Sequence, residues 1–246
     1  MRGVLALHGG GEYVRGDEAA MDALVVAALD AAKLEGADVV PRIVLVPTAA
    51  ARQRPETAAA HGERSFAVAA DRAGIEIDIG VARVLSRRDA ADPRLVVALE
   101  SAHLVHFPGG DPDLIPEVLR DTAAWAAIVG AHDAGGVIAG ASAGAMALAE
   151  RCWTAGGLVA GLGLLPAFAV LPHYAPGRLA SWRGTRPAGA TDVPPALDWL
   201  GLDEQTLAIG RPGEPWRVAG RGHVHVVPAN GARPVSAGAG ETVRIG

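Results

Sequence analysis

The stretch that most limits how this chain can fold is residues 136–145, Gly-Val-Ile-Ala-Gly-Ala-Ser-Ala-Gly-Ala. A short apolar run ends in Gly140-Ala141-Ser142-Ala143-Gly144, and a helical pattern follows at once. This is the G-x-S-x-G arrangement, a buried strand delivered straight into a helix. So sharp a turn needs room on both sides of the turning residue, and glycine and alanine supply it. The turn exposes the serine hydroxyl. It also aims backbone N–H groups and a helix N-terminus at the place where an oxyanion forms in acyl transfer. Ser142 is therefore a candidate nucleophile. The competing reading is a small residue that eases a tight turn.

The flanking sequence supplies a matching framework. Strand candidates are 3–8, 41–47, 75–81, 102–107 and 136–140, with helical patterns near 17–34, 55–73, 89–100 and 113–132. Such alternation predicts an α/β fold, a mainly parallel sheet covered on both faces. Asp17 is placed to cap the first helix, Pro55 to open the second, and Asp111 with Pro112 to open the fourth. The helix after Ser142 is expected to carry Cys152 one to two turns in. Beyond it, 156–166 is rich in Gly and Leu, and 167–172 reads as a strand ending at His173. Residues 175–195 read as a loop with a short helix near 177–183. Strand candidates at 206–210, 215–219, 222–228 and 241–245 close the chain, some of them antiparallel. No linker, repeat or low-complexity tract divides the 246 residues, so one domain over 1–246 is expected.

Composition narrows the function classes. The net charge of −5 offers no basic footprint, so no nucleic-acid partner is expected. The single cysteine excludes a disulfide framework or a cysteine-built zinc site within the chain, and Cys152 reads as a small buried hydrophobe. The N-terminal apolar run is too short for a signal peptide, and no window is long enough to span a membrane. A cytoplasmic location is the expectation, with no membrane partner.

A serine nucleophile needs a base, an orienting acid and an oxyanion site. His173 closes an apolar strand in Leu171-Pro172-His173-Tyr174, and sites in parallel α/β folds gather at that edge. It is the candidate general base. Asp203 and Glu204, in a turn entering the strand at 206–210, are both candidates for the acid. Upstream, His106-Phe107-Pro108-Gly109-Gly110-Asp111 closes another strand. The N–H of Gly110 and that of Ala143, the residue after the serine, are candidate oxyanion donors.

These motifs occur in a familiar order. His8-Gly9-Gly10-Gly11-Glu12, Val46-Pro47-Thr48-Ala49, Phe107-Pro108-Gly109-Gly110-Asp111, Gly140-Ala141-Ser142-Ala143-Gly144-Ala145, Pro172-His173-Tyr174 and Leu202-Asp203-Glu204-Gln205-Thr206-Leu207 span roughly residues 3–210. The chain resembles the peptidase E and cyanophycinase family of serine hydrolases. The resemblance implies a class I glutamine amidotransferase-like, flavodoxin-like three-layer sandwich. It implies a Ser–His–Glu triad at Ser142, His173 and Glu204, with Gly110 and Ala143 as oxyanion donors. It implies small peptide substrates, either α-Asp-X or β-aspartyl, an acyl-enzyme and no cofactor. Asp111, Arg183 and Arg186 are the substrate-binding candidates, since a guanidinium pairs bidentately with a substrate carboxylate. Three features depart from the pattern: Pro112 where the family often has glutamine, Leu171-Pro172 before the histidine, and an arginine-rich segment thinned to Arg178, Arg183 and Arg186. A homodimer is left open.

Two other readings compete. His8-Gly9-Gly10-Gly11 with the serine elbow spells an esterase-like α/β-hydrolase, whose triad would be Ser142, Asp203 and His223 or His225. Against it, the H-G-G-G lies on the first strand, far ahead of the serine. The second alternative is a non-catalytic binding protein that retains the fold. A metal reading of His223-x-His225 lacks supporting carboxylates, and no metal site is expected.

Overall fold

Short apolar runs bounded by Gly, Pro or Asp become the strands. The computed structural model describes residues 3–154, 157–175 and 197–245. In chain order it runs β1 (Val4–His8), α1 (Glu18–Ala32), β2 (Arg42–Leu45), α2 (Pro55–Ala73), β3 (Asp78–Val81), α3 (Pro93–Glu100) and β4 (Leu104–Phe107). There follow α4 (Leu114–Leu119), α5 (Ala123–Asp133), β5 (Val137–Ala141), α6 (Ala143–Leu148), β6 (Ala149–Thr154), β7 (Gly157–Ala160) and β8 (Leu165–Leu171). The chain closes with β9 (Asp198–Leu202), β10 (Thr206–Gly210), β11 (Pro215–Gly220), β12 (His223–Val227), β13 (Val235–Gly238) and β14 (Thr242–Arg244).

An eight-stranded sheet runs in the order β14-β11-β10-β1-β5-β4-β2-β3. Strands β1, β5, β4, β2 and β3 are parallel, and β10, β11 and β14 add antiparallel neighbours. This is the expected α/β sandwich with antiparallel strands from the C-terminal part. Alternation along β1 sorts the core. Ala6 packs with Met21, Leu24 and Phe66 of α1 and α2 on one face, while Leu5 and Leu7 join Val105, Ile128 and Ile138 on the other. The strands at the sheet centre are buried on both faces, as helix-covered parallel strands must be.

A second sheet of six strands, in the order β13-β12-β9-β8-β6-β7, covers more of the C-terminal half than the sequence reading anticipated. Its residues Leu165, Phe168, Leu200 and Val224 share one apolar cluster with Leu5 and Leu7. Helix α6 stops at Leu148, where Ala149 turns extended (ψ 172°), and β6 begins at once. Cys152 therefore lies on β6 and not within a helix. Local propensity favours helix through Ala147-Leu148-Ala149-Glu150, but pairing with β7 and β8 overrides it. The thiol is buried, and burial pushes it up to about 12. Strand β9 was hidden by Gly201, a residue that weakens a strand signal. Flanking pairing with β8 and β12 forms it nonetheless.

Two helix expectations also change. The pattern at 113–132 divides into α4 and α5 because Asp121 takes a left-handed φ of 57°, and Thr122 then caps α5 by accepting from Trp125 N. Helix α4 starts only at Leu114, whose N–H reaches the Asp111 carbonyl. Pro55 does open α2. Asp17 precedes α1 but makes no side-chain cap, its carboxylate being engaged elsewhere. The loop at 175–195 and short helix at 177–183 lie, apart from Ala175, outside the described residues.

Candidate active site

Parallel registry at the sheet centre brings three strand ends together. Ala141 of β5 pairs with His8 of β1, and Gly140 pairs with Phe107 of β4. Ser142 therefore emerges between the turn at Gly9-Gly10 and the turn at Gly109-Gly110. It adopts φ 49° and ψ −111°, and its N–H donates to the His8 carbonyl (3.0 Å). A non-glycine residue held there costs about 1–3 kcal/mol, strain that clusters at functional sites. The elbow's small residues are dictated by contact, since a Cβ on Gly144 would stand 2.2 Å from the Phe107 carbonyl oxygen.

His173 follows β8, with its own left-handed φ of 50°. Its Nε2 lies 3.0 Å from Ser142 Oγ, and its Nδ1 lies 2.7 Å from Glu204 Oε1. The three side chains form one hydrogen-bonded line. Glu204 is open to solvent at 64% and the imidazole is part-covered at 34%, so the line lies at the protein surface with Ser142 at its inner end. Gly9 O accepts His173 N–H (2.7 Å) and Gly10 O accepts Gln205 N–H (2.8 Å), which fixes the backbone of both partners. Gly10, at φ 97°, lies flat against the ring: a Cβ there would be 2.3 Å from His173 Cε1.

Asp203 and Glu204 point to different neighbours, Glu204 to His173 and Asp203 to His225. Asp203 accepts from His223 N and meets His225 Nε2 at 3.1 Å, while His225 Nδ1 meets Ser236 Oγ at 2.8 Å. Asp203, in the turn between β9 and β10, thus belongs with His225 of β12 and Ser236 of β13 to a second hydrogen-bonded line. The esterase-like arrangement is not the one assembled here.

On the other flank, Gly109 N–H donates to Glu12 Oε1 (2.9 Å). The N–H of Gly110 donates to no acceptor among the described residues, and neither does that of Ala143 at the first position of α6. A cleft of about 360 Å³ opens beside Gly109, lined by Glu12, Tyr13, Gln53, Arg54 and His61 among others. Asp111 is tied back, its N–H donating to Ala49 O and its carboxylate accepting from Gln53 Nε2. Arg183 and Arg186 lie outside the described residues.

Sequence reasoning gave no role to Glu12, although it ends the first glycine-rich motif, nor to the His8–Asp17 pair. His8 Nε2 and Asp17 Oδ1 stand 2.7 Å apart, both side chains 2% exposed. Beneath them His106 Nδ1 and the Tyr13 hydroxyl share a bond of 2.9 Å. Burial lowers His106 to about 3, so this imidazole is neutral. Among the described residues there is no cluster of three or more His, Cys, Asp or Glu that could hold a metal ion. Nor is any helix among them long and apolar enough to cross a membrane.

The model of peptidase family S51 matches residues 17–209. The crystal structure of a peptidase from an acI-B1 actinobacterium is similar at TM-score 0.78 and 29% identity, over 100% of this chain and 98% of that one. A putative peptidase E protein from Listeria monocytogenes EGD-e is similar at TM-score 0.54 over 96% and 98% of the two chains. At 13% identity the second likeness concerns the fold alone. No match was found among curated proteins.

Proposed function

The chain belongs to peptidase family S51, a family of serine peptidases, and from that premise we propose that it hydrolyses small peptides through Ser142, His173 and Glu204. The observation that carries this reading is the unbroken line Ser142 Oγ, His173 Nε2, His173 Nδ1, Glu204 Oε1. Ser142 Oγ attacks the scissile carbonyl as His173 Nε2 takes its proton. Glu204 holds the Nδ1–H, which leaves Nε2 unprotonated to act as the base and stabilises the imidazolium that forms. The negative charge on the substrate oxygen falls to the N–H groups of Gly110 and Ala143, and the positive end of α6 adds to it. His173 then protonates the leaving amine, and water repeats the sequence to release the acyl group. These steps use no cofactor.

The cleft beside Gly109 is of small-peptide size, and its lining adjoins the proposed site through Glu12, Pro108 and Gly109, with Ser142, His173 and Glu204 outside it. The aspartyl preference, with Arg183 and Arg186 meeting a substrate carboxylate, rests on the family resemblance. The test is hydrolysis of α-Asp-X and β-Asp-X dipeptides and of matched peptides without Asp, with Ser142→Ala as control. Full activity surviving that substitution removes the mechanism. Activity confined to peptides without Asp removes only the aspartyl preference.

A further inference from the structure

His8 is a buried polar residue whose backbone and adjoining turn are linked to the segments that carry all three members of the proposed triad. Its ring is pinned on both sides. Gly10 N–H donates to Nδ1 (3.1 Å), so that nitrogen carries no proton, and the proton sits on Nε2, which donates to Asp17 Oδ1 (2.7 Å). Asp17 Oδ2 accepts in turn from Tyr13 N–H (3.0 Å). The bond at Nδ1 sets the Gly9-Gly10 turn. That turn meets the face of the His173 ring, accepts His173 N–H at Gly9 O, and accepts Gln205 N–H, next to Glu204, at Gly10 O. The backbone of His8 also accepts the Ser142 N–H.

We propose that His8, held in its Nε2–H tautomer by Asp17, is a positioning residue that places the His173 imidazole between Ser142 and Glu204 through the Gly9-Gly10 turn. The inference rests on the hydrolase reading for its kinetic consequence, but the placement of His173 stands apart from it. An imidazole with a proton on Nδ1 would face the Gly10 N–H donor to donor. The turn would move, and the ring packed against it would move too.

Two substitutions separate the halves of the pair. His8→Asn keeps an acceptor near the place of Nδ1 and gives up the bond to Asp17. His8→Gln keeps a donor toward Asp17 and gives up the acceptor for Gly10. Three measurements are made on the full chain: the melting temperature, the rate of Ser142 labelling by a fluorophosphonate, and the downfield Nδ1–H proton resonance of His173, assigned by its absence in His173→Gln. Expected are a resonance and labelling rate close to wild type in His8→Asn, and in His8→Gln loss of the resonance with labelling slowed roughly 100-fold. Rates that simply follow melting temperature across the variants would make His8 a structural residue and overturn the proposal, as would an unchanged resonance in His8→Gln. Should His8→Gln not fold, Asp17→Ala removes the acceptor that holds the tautomer and is expected to lose the same resonance; keeping it there overturns the proposal. If wild-type Ser142 does not react, the hydrolase reading fails, and the resonance still decides the role of His8.

Discussion

The carboxylate of Glu12 accepts the backbone N–H of Gly109, across 97 positions of sequence (2.9 Å). With that N–H engaged, Gly110 is the glycine of the pair left to serve an oxyanion. Glu12 thus anchors the loop that presents one of the two proposed donors. We expect Glu12→Ala to lower kcat by about 10–100-fold with a smaller change in KM, because a displaced donor weakens transition-state binding most. Glu12→Gln, whose amide oxygen still accepts, should recover most of the loss. Steady-state kinetics on one dipeptide substrate distinguish the two.

For the triad itself, Ser142→Ala should reduce hydrolysis by at least about 1,000-fold. Glu204→Gln keeps the shape but lets the imidazole take the wrong tautomer, and is expected to cost roughly 100-fold or more. Asp203→Asn should leave kcat within a few-fold, since Asp203 faces His225. Equal losses at 203 and 204 would contradict the assignment.

Gly10→Ala puts a methyl where the His173 ring already lies and asks alanine to hold φ 97°. A destabilisation of about 1–3 kcal/mol is expected, together with loss of activity in the fraction that remains folded. Denaturant unfolding gives the first quantity and active-site titration the second.

His106 gives the fold a defined acid sensitivity. Burial holds it at about 3, against 6.5 for a free imidazole. Between those values the unfolded chain binds a proton that the folded chain refuses. Stability therefore falls as pH drops through this window, on the order of 1 kcal/mol per pH unit. His106→Gln should flatten melting temperature against pH between 3 and 6.5, and a slope equal to wild type would refute the account.

Cys152 should resist thiol reagents in the native state, being buried with its thiol pushed up to about 12. Labelling by a maleimide at neutral pH is expected to track global unfolding by denaturant. Rapid labelling of folded protein would show that β6 opens locally.

Much of the candidate site was legible because its signals are local. The elbow at Gly140–Gly144 announces itself through small residues between an apolar run and a helical pattern, and the strand-end positions of His173 and the Gly109-Gly110 pair follow from the same punctuation. What stayed hidden depended on pairing. Helix-favouring residues at 147–150 concealed β6, and Gly201 concealed β9. Both elements exist because neighbouring strands accept their backbone groups. Asp17 looks like a helix cap in sequence, yet His8 claims its carboxylate.

The sequence alone determined the alternation of strands and helices, and hence a parallel sheet with a serine turn at its C-terminal edge, because hydrophobic period and turn chemistry act over a few residues. Only the tertiary structure decided which of two adjacent carboxylates faces His173, what holds Gly109, and that His8 sits behind the proposed triad. Those choices are made by hydrogen bonds whose partners come from different strand ends, and a one-residue step along the turn at 203–204 sends successive side chains to different neighbours.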